Sequence, residues 1–223
     1  MAVKPPPDRL YGRQRTHALR PRQQKLLDVT LPRLAYVPGE LLHTAQTWVE
    51  VGFGGGEHAR AQIAAHPEAM LIACEVFEQG LCSMLAALVP EGGEADAPLP
   101  ANLRIWPNDA RTLLRALPEA SLDRLFLLFP DPWPKARHAK RRFVHPETNK
   151  LVATRLKPGA EWRIATDDPT YQDWIAEVFT PNPDFTAPAP VAVRPGEWPP
   201  TRYEAKAVTA GRVAKYWTFC RNT

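Results

Sequence analysis

The chain has 223 residues, 44% of them hydrophobic and 23% charged, enough for one large α/β domain with a proper core or two very small ones. Its longest apolar run near the middle, Leu125 to Phe129, is far short of the ~20 residues of a membrane span. Met1 to Pro7 lacks the apolar stretch of a secretory signal, so a cytoplasmic location without membrane association is expected. Cys74, Cys82 and Cys220 are odd in number and lack metal-binding spacing, so they read as buried free thiols, and no metal is expected.

The net charge is +4, but its distribution is uneven. Arg9, Arg13, Arg15, Arg20, Arg22 and Lys25 form one acid-free segment, and Lys135, Arg137, Lys140, Arg141 and Arg142 form another. These cations exceed the net charge, so the rest of the chain is acidic. An acidic body with two basic segments fits a polyanion-binding enzyme, or else a basic tail plus a solvated loop.

Residues 1–30 read as an extended, flexible basic N-terminal extension, and residues 31–223 as a single domain. Thr47 to Val51 is an apolar strand ended by Gly52, followed by a helix from Glu57 to Ala65. Met70 to Cys74 is a second strand. After it Phe77, Leu81, Met84, Leu85 and Leu88 recur at helical spacing. Glu91 to Pro100 is a Gly/Pro/acidic loop. Leu103 to Trp106 is a third strand, Ala110 to Leu117 a helix, and Leu122 to Phe129 a fourth strand. A helix from Pro146 or Glu147 to about Leu156 ends at Lys157-Pro158-Gly159. Glu161 to Ala165 is a fifth strand, Tyr171 to Phe179 a helix, and Tyr216 to Phe219 a last strand after a proline-rich loop. The alternation predicts a doubly wound, mostly parallel α/β sheet with ligands at the carboxyl ends of its strands.

The first strand runs into Glu50-Val51-Gly52-Phe53-Gly54-Gly55-Gly56. Glycines there permit a sharp turn and close approach of backbone to a ligand. A dinucleotide fingerprint needs a third glycine at position 57, which is Glu57, a poor neighbour for a pyrophosphate. An acid-flanked glycine loop suits S-adenosylmethionine, which carries no phosphate and is cationic at sulfur and ammonium. Glu75 follows the second strand, where a carboxylate accepts from ribose hydroxyls. Asn108 and Asp109 follow the third; Asp109 suits an adenine amino group or a helix cap. After the fourth strand, Phe129-Pro130-Asp131-Pro132-Trp133-Pro134-Lys135-Ala136-Arg137-His138 joins one acid, one aromatic and the second basic run. Trp133 is either a stacking surface or packed core.

These motifs, with Tyr11-Gly12-Arg13, Leu19-Arg20-Pro21-Arg22-Gln23, Ala165-Thr166-Asp167 and Thr201-Arg202-Tyr203-Glu204, strongly resemble the bacterial tRNA (guanine-N7)-methyltransferase family. The resemblance covers most of the chain. It implies a Rossmann-like class I methyltransferase fold with an antiparallel C-terminal strand. It also implies S-adenosylmethionine as donor and guanine 46, in the variable loop of tRNA, as target. Carried over by motif, Glu50, Gly52, Gly54, Gly56, Glu75, Asn108, Asp109 and Asp131 resemble the cofactor site, and Asp131 the catalytic residue. Lys135, Asp167, Thr201, Arg202, Tyr203 and Glu204 resemble substrate-binding positions, and Arg137, Lys140, Arg141 and Arg142 the RNA-contacting run. Gly55 and Asp168 depart from the family pattern, which often has larger or aromatic residues there. The protein is expected as a monomer or homodimer. The alternatives are a methyltransferase for small molecules or proteins, and an RNA-binding module without catalysis.

Overall fold

The computed structural model describes residues 17–186 and 188–223, so Arg9, Arg13, Arg15 and the Tyr11-Gly12-Arg13 motif lie outside the described residues. Six strands carry the fold: β1 (Gln46–Val51), β2 (Ala69–Cys74), β3 (Leu103–Trp106), β4 (Leu122–Leu128), β5 (Leu156–Thr166) and β6 (Lys215–Cys220). They form a mixed sheet in the order β3-β2-β1-β4-β5-β6. β1 with β2, β2 with β3 and β4 with β5 pair parallel, while β6 runs antiparallel to β5. The expected α/β sheet with an antiparallel last strand is therefore what the chain builds. Two compact units divide the described residues, one of residues 17–116 and the other of residues 117–223.

In the first unit every residue of β2 is buried, as expected of a central parallel strand covered on both faces. Its helices are α1 (Pro21–Lys25), α2 (Glu57–Ala65), α3 (Glu78–Leu88) and α4 (Ala110–Ala116). Gly56, at φ +79°, turns the chain into α2. Residues 21–30, expected to be extended, are helical instead. Pro21 opens α1, Gln23 accepts from the Arg20 amide at 2.9 Å, and Leu26–Thr30 continue as a wide helical turn. Leu26 is buried, worth roughly 1.5–3 kcal/mol. Glu94, only 2% exposed although it lies in the Gly/Pro/acidic loop from Glu91 to Pro100, accepts from Arg22 at 3.2 Å and Lys25 at 2.9 Å. Its carbonyl accepts from Thr30 at 2.8 Å. A buried carboxylate requires such partners, so these two cations serve the fold.

In the second unit the helices are α5 (Pro146–Arg155), α6 (Pro169–Phe179) and α7 (Arg202–Thr209). Trp162, Phe179, Phe185 and Phe219 form its aromatic core, with Phe179 stacked on Phe219 at 3.6 Å. Lys157-Pro158-Gly159 follows the end of α5 as expected, but it lies inside β5. The pairing jumps from Leu122–Leu156 to Arg124–Glu161, and Gly159 sits at φ +79°. A glycine in the left-handed region lets the extra residues bulge out without ending the strand. α7 was not anticipated. Its signal was present, because Thr201-x-x-Glu204 is a helix-start pattern and the Thr201 hydroxyl accepts from the Glu204 amide at 3.0 Å.

Candidate functional site

At the carboxyl ends of β1 to β3, Gly52, Gly54 and Gly56 all adopt left-handed backbone, at φ +74°, +59° and +79°. Glu75 ties this loop to the start of α3. One carboxylate oxygen accepts from Gly54 N–H at 2.7 Å, the other from Val76 and Phe77 N–H at 2.8 and 3.0 Å. Glu50 is buried, with its Oε2 3.0 Å from His58 Nδ1 on α2. Asp109 caps α4 by accepting from Arg111 N–H at 2.9 Å and is gripped by the Arg111 guanidinium at 2.6 Å. Asn108 is exposed. The Cys74 thiol is held well above its ordinary pKa, first by burial and then by the charges of Asp109, Glu75 and Glu50. Three carboxylates from three strand ends thus act on one buried thiol, the charge of Asp109 being partly offset by the Arg111 guanidinium that grips it. Gly80 of α3 was missed by sequence reasoning, although a β-carbon there would lie 2.6 Å from the Gly54 carbonyl oxygen. At the divergent position Gly55, the Glu57 carboxylate lies 2.6 Å from where a β-carbon would stand.

After β4 the chain is strained. Phe129 and Trp133, neither a glycine, adopt φ +51° and +45°, and such residues cost on the order of 1–3 kcal/mol each. Between them Asp131 is exposed. A tight helical turn over Ala136–Arg141 leaves Lys135, Arg137 and Lys140 exposed and Arg141 half-buried. The Arg141 guanidinium lies 4.8 Å from the Trp133 ring centre, and His138 meets that ring edge-on at 5.8 Å. Trp133 is half-buried and already contacted by a cation. His138 is held below its ordinary pKa, first by desolvation and then by Arg141, Arg137, Lys135 and Lys140. Arg142 departs from the expectation that the whole run faces RNA. It is 4% exposed and donates to the Pro132 and Trp133 carbonyls at 3.0 and 3.1 Å.

At the end of β5, Asp167 pairs with Arg212 at 2.6 Å, and Asp168 caps α6 by accepting from the Tyr171 amide at 2.9 Å. The cap explains why an acid serves at 168. Thr201 is committed to starting α7. Glu204 pairs with Arg194 at 3.0 Å and interacts with the Tyr216 hydroxyl, whose pKa is raised by burial first and then by Glu204. Arg202 and Tyr203 stay exposed, the guanidinium 5.1 Å from the ring centre. His58, Arg111, Arg194 and Arg212 were not singled out from the sequence, because nothing local distinguishes them.

A family model described as "Putative methyltransferase" matches residues 44–216. A tRNA (guanine-N(7)-)-methyltransferase of Granulibacter bethesdensis is 64% identical over 223 residues, covering 99% of this chain and 98% of that protein. One of Rhodospirillum rubrum is 44% identical over 239 residues, covering 99% and 91%. The chain belongs to the tRNA (guanine-N(7)-)-methyltransferase family. The same fold recurs in solved structures of low sequence identity. A 16S rRNA methyltransferase, KamB, superimposes with TM-score 0.54 at 15% identity, over 83% of this chain and 99% of that one. An rRNA methylase from Streptococcus thermophilus does so with TM-score 0.52 at 15% identity, over 93% and 100%.

A tRNA (guanine-N(7)-)-methyltransferase uses a sulfonium donor, and the residues present fit one. Three carboxylates gather around Cys74, and the loop beside them is all glycine where backbone must turn. That arrangement favours a cationic ligand and disfavours a phosphate. Among the described residues no cluster of three or more His, Cys, Asp or Glu is placed to hold a metal ion, and no helix is long and apolar enough to cross a membrane.

Proposed function

We propose that this chain methylates N7 of guanine 46, in the variable loop of cytoplasmic tRNA, using S-adenosylmethionine. The observation that carries the reading is the exposed Asp131 on a strained loop that leads directly into the cationic turn Lys135 to Arg141. The bound donor supplies an electrophilic methyl group on a positively charged sulfur. Gly52, Gly54, Gly56 and Asn108 line its backbone side, and Glu50, Glu75 and Asp109 offset its charge. Guanine N7 is already a free lone pair, so no base is needed to deprotonate it, and the protein's work is alignment. Asp131 accepts from the guanine N1–H and amino group and offsets the positive charge that grows on the purine. Lys135, Arg137, Lys140 and Arg141 hold phosphates. Asp167 and the Thr201 to Glu204 segment border the base, with the exposed Arg202 and Tyr203 as the groups that touch RNA.

The test is methyl transfer from labelled donor to bulk unmodified tRNA, followed by identification of the labelled nucleoside and its position. Label in 7-methylguanosine at position 46 is expected; label at another base or position overturns the assignment. Asp131→Ala should lower kcat by about 100- to 1,000-fold while tRNA binding stays unchanged. Near-normal turnover would remove Asp131 from the chemistry.

A further inference from the structure

Arg142 closes a basic run of five cations, yet its surroundings differ from those of its neighbours. Its guanidinium is buried and forks onto two successive carbonyls, Nε to Pro132 at 3.0 Å and Nη2 to Trp133 at 3.1 Å. The guanidinium carbon lies 5.0 Å from the Trp174 ring centre and 5.8 Å from that of Tyr171. That platform is itself fixed. Trp174 Nε1 donates to the Val144 carbonyl at 2.7 Å, and the Tyr171 hydroxyl accepts from the Val144 amide at 3.2 Å. The carbonyls that Arg142 grips follow Asp131 immediately, in the segment where Phe129 and Trp133 adopt strained backbone. Strain persists only where surrounding contacts over-determine it, and Arg142 supplies two such contacts from α6's side of the loop.

We propose that Arg142 is a positioning residue: it clamps the Pro132–Trp133 backbone against α6 and so fixes the place of the Asp131 carboxylate. It is not a phosphate contact. The reading rests on the proposed role of Asp131. A planar fork that bonds two carbonyls while stacking on rings cannot be reproduced by an ammonium group, so lysine is not a substitute here.

The experiment compares Arg142→Lys and Arg142→Ala with wild type, using tRNA and labelled donor, and measures hydrogen exchange of the peptide spanning Phe129 to His138 in the free protein. We expect kcat to fall about 10- to 100-fold in both variants, with KM for tRNA and the salt slope of tRNA binding unchanged. Loop exchange should speed up, and added guanidinium ion should restore part of the Arg142→Ala rate. A salt slope reduced by about one unit with unchanged kcat would make Arg142 a phosphate ligand and overturn the proposal. Loop exchange identical to wild type would overturn it too. Were the wild-type chain inactive on tRNA, the proposed function would fail, while loop exchange would still decide whether Arg142 clamps the loop. The lysine variant keeps the charge, so it answers the question should the alanine variant unfold.

Discussion

Gly80 faces the Gly54 carbonyl so closely that a β-carbon would sit 2.6 Å from its oxygen and 3.1 Å from Glu75 Cγ. Backbone cannot give way as a flexible side chain can, so Gly80→Ala must push α3 away from the glycine loop. We expect a stability loss of about 1–3 kcal/mol in chemical denaturation. Calorimetry should show weaker S-adenosylmethionine binding with tRNA affinity retained. Unchanged donor affinity would show that this contact does not shape the cofactor site. The same scale separates residues that share a charge. Arg141 lies over Trp133 and Arg142 is buried beneath the loop, although they are adjacent in sequence and chemically identical. Glu75 shows the complementary case. Its position after β2 marked it from the sequence, but its three backbone partners are supplied by the fold.

At the scale of elements, α1 and the turn after it are held by one carboxylate. Glu94 is held at a pKa of about 2, first by the Lys25 hydrogen bond, then by backbone N–H groups and Arg22, against the opposing effect of burial. An unfolded glutamate titrates at about 4.3. A lowered folded pKa means that Glu94 stabilises the fold fully above about pH 4.3 and loses that contribution as pH falls towards about 2. Glu94→Gln should therefore unfold at lower denaturant than wild type at pH 7. The gap should narrow between about pH 4 and pH 2. A gap that does not change with pH would show that the charge of Glu94 is not what holds α1. Local rules located the strands and most helices because apolar runs and helical spacing are local signals. The Glu57 to Ala65 helix and the Leu103 to Trp106 strand were legible to the residue. α7 follows a proline-rich stretch that reads as loop, and its one local mark is the start motif Thr201 to Glu204.

For the whole molecule, the basic charge is less available to RNA than its count implies. Arg22 and Lys25 are paired with Glu94, Arg142 is buried, and Arg194 and Arg212 are paired with Glu204 and Asp167. Lys135, Arg137 and Lys140 remain exposed on one turn. Replacing Arg137 and Lys140 together by alanine should reduce the salt slope of tRNA binding by about two units. Donor binding and base preference should be untouched. An unchanged slope would place the RNA elsewhere on the protein.

The order of the strands along the chain, the helices from α2 to α6, the glycine turn, the acids at the strand ends and the family were readable from the chain alone, because each is written in neighbouring residues. Which cations face outward, why Glu94 is buried and what holds the Asp131 loop were decided only by tertiary structure. Those outcomes depend on partners such as Trp174 for Arg142 and Lys25 for Glu94, 32 and 69 positions away in the chain. A charge carries no local mark of whether folding will bring a partner to it.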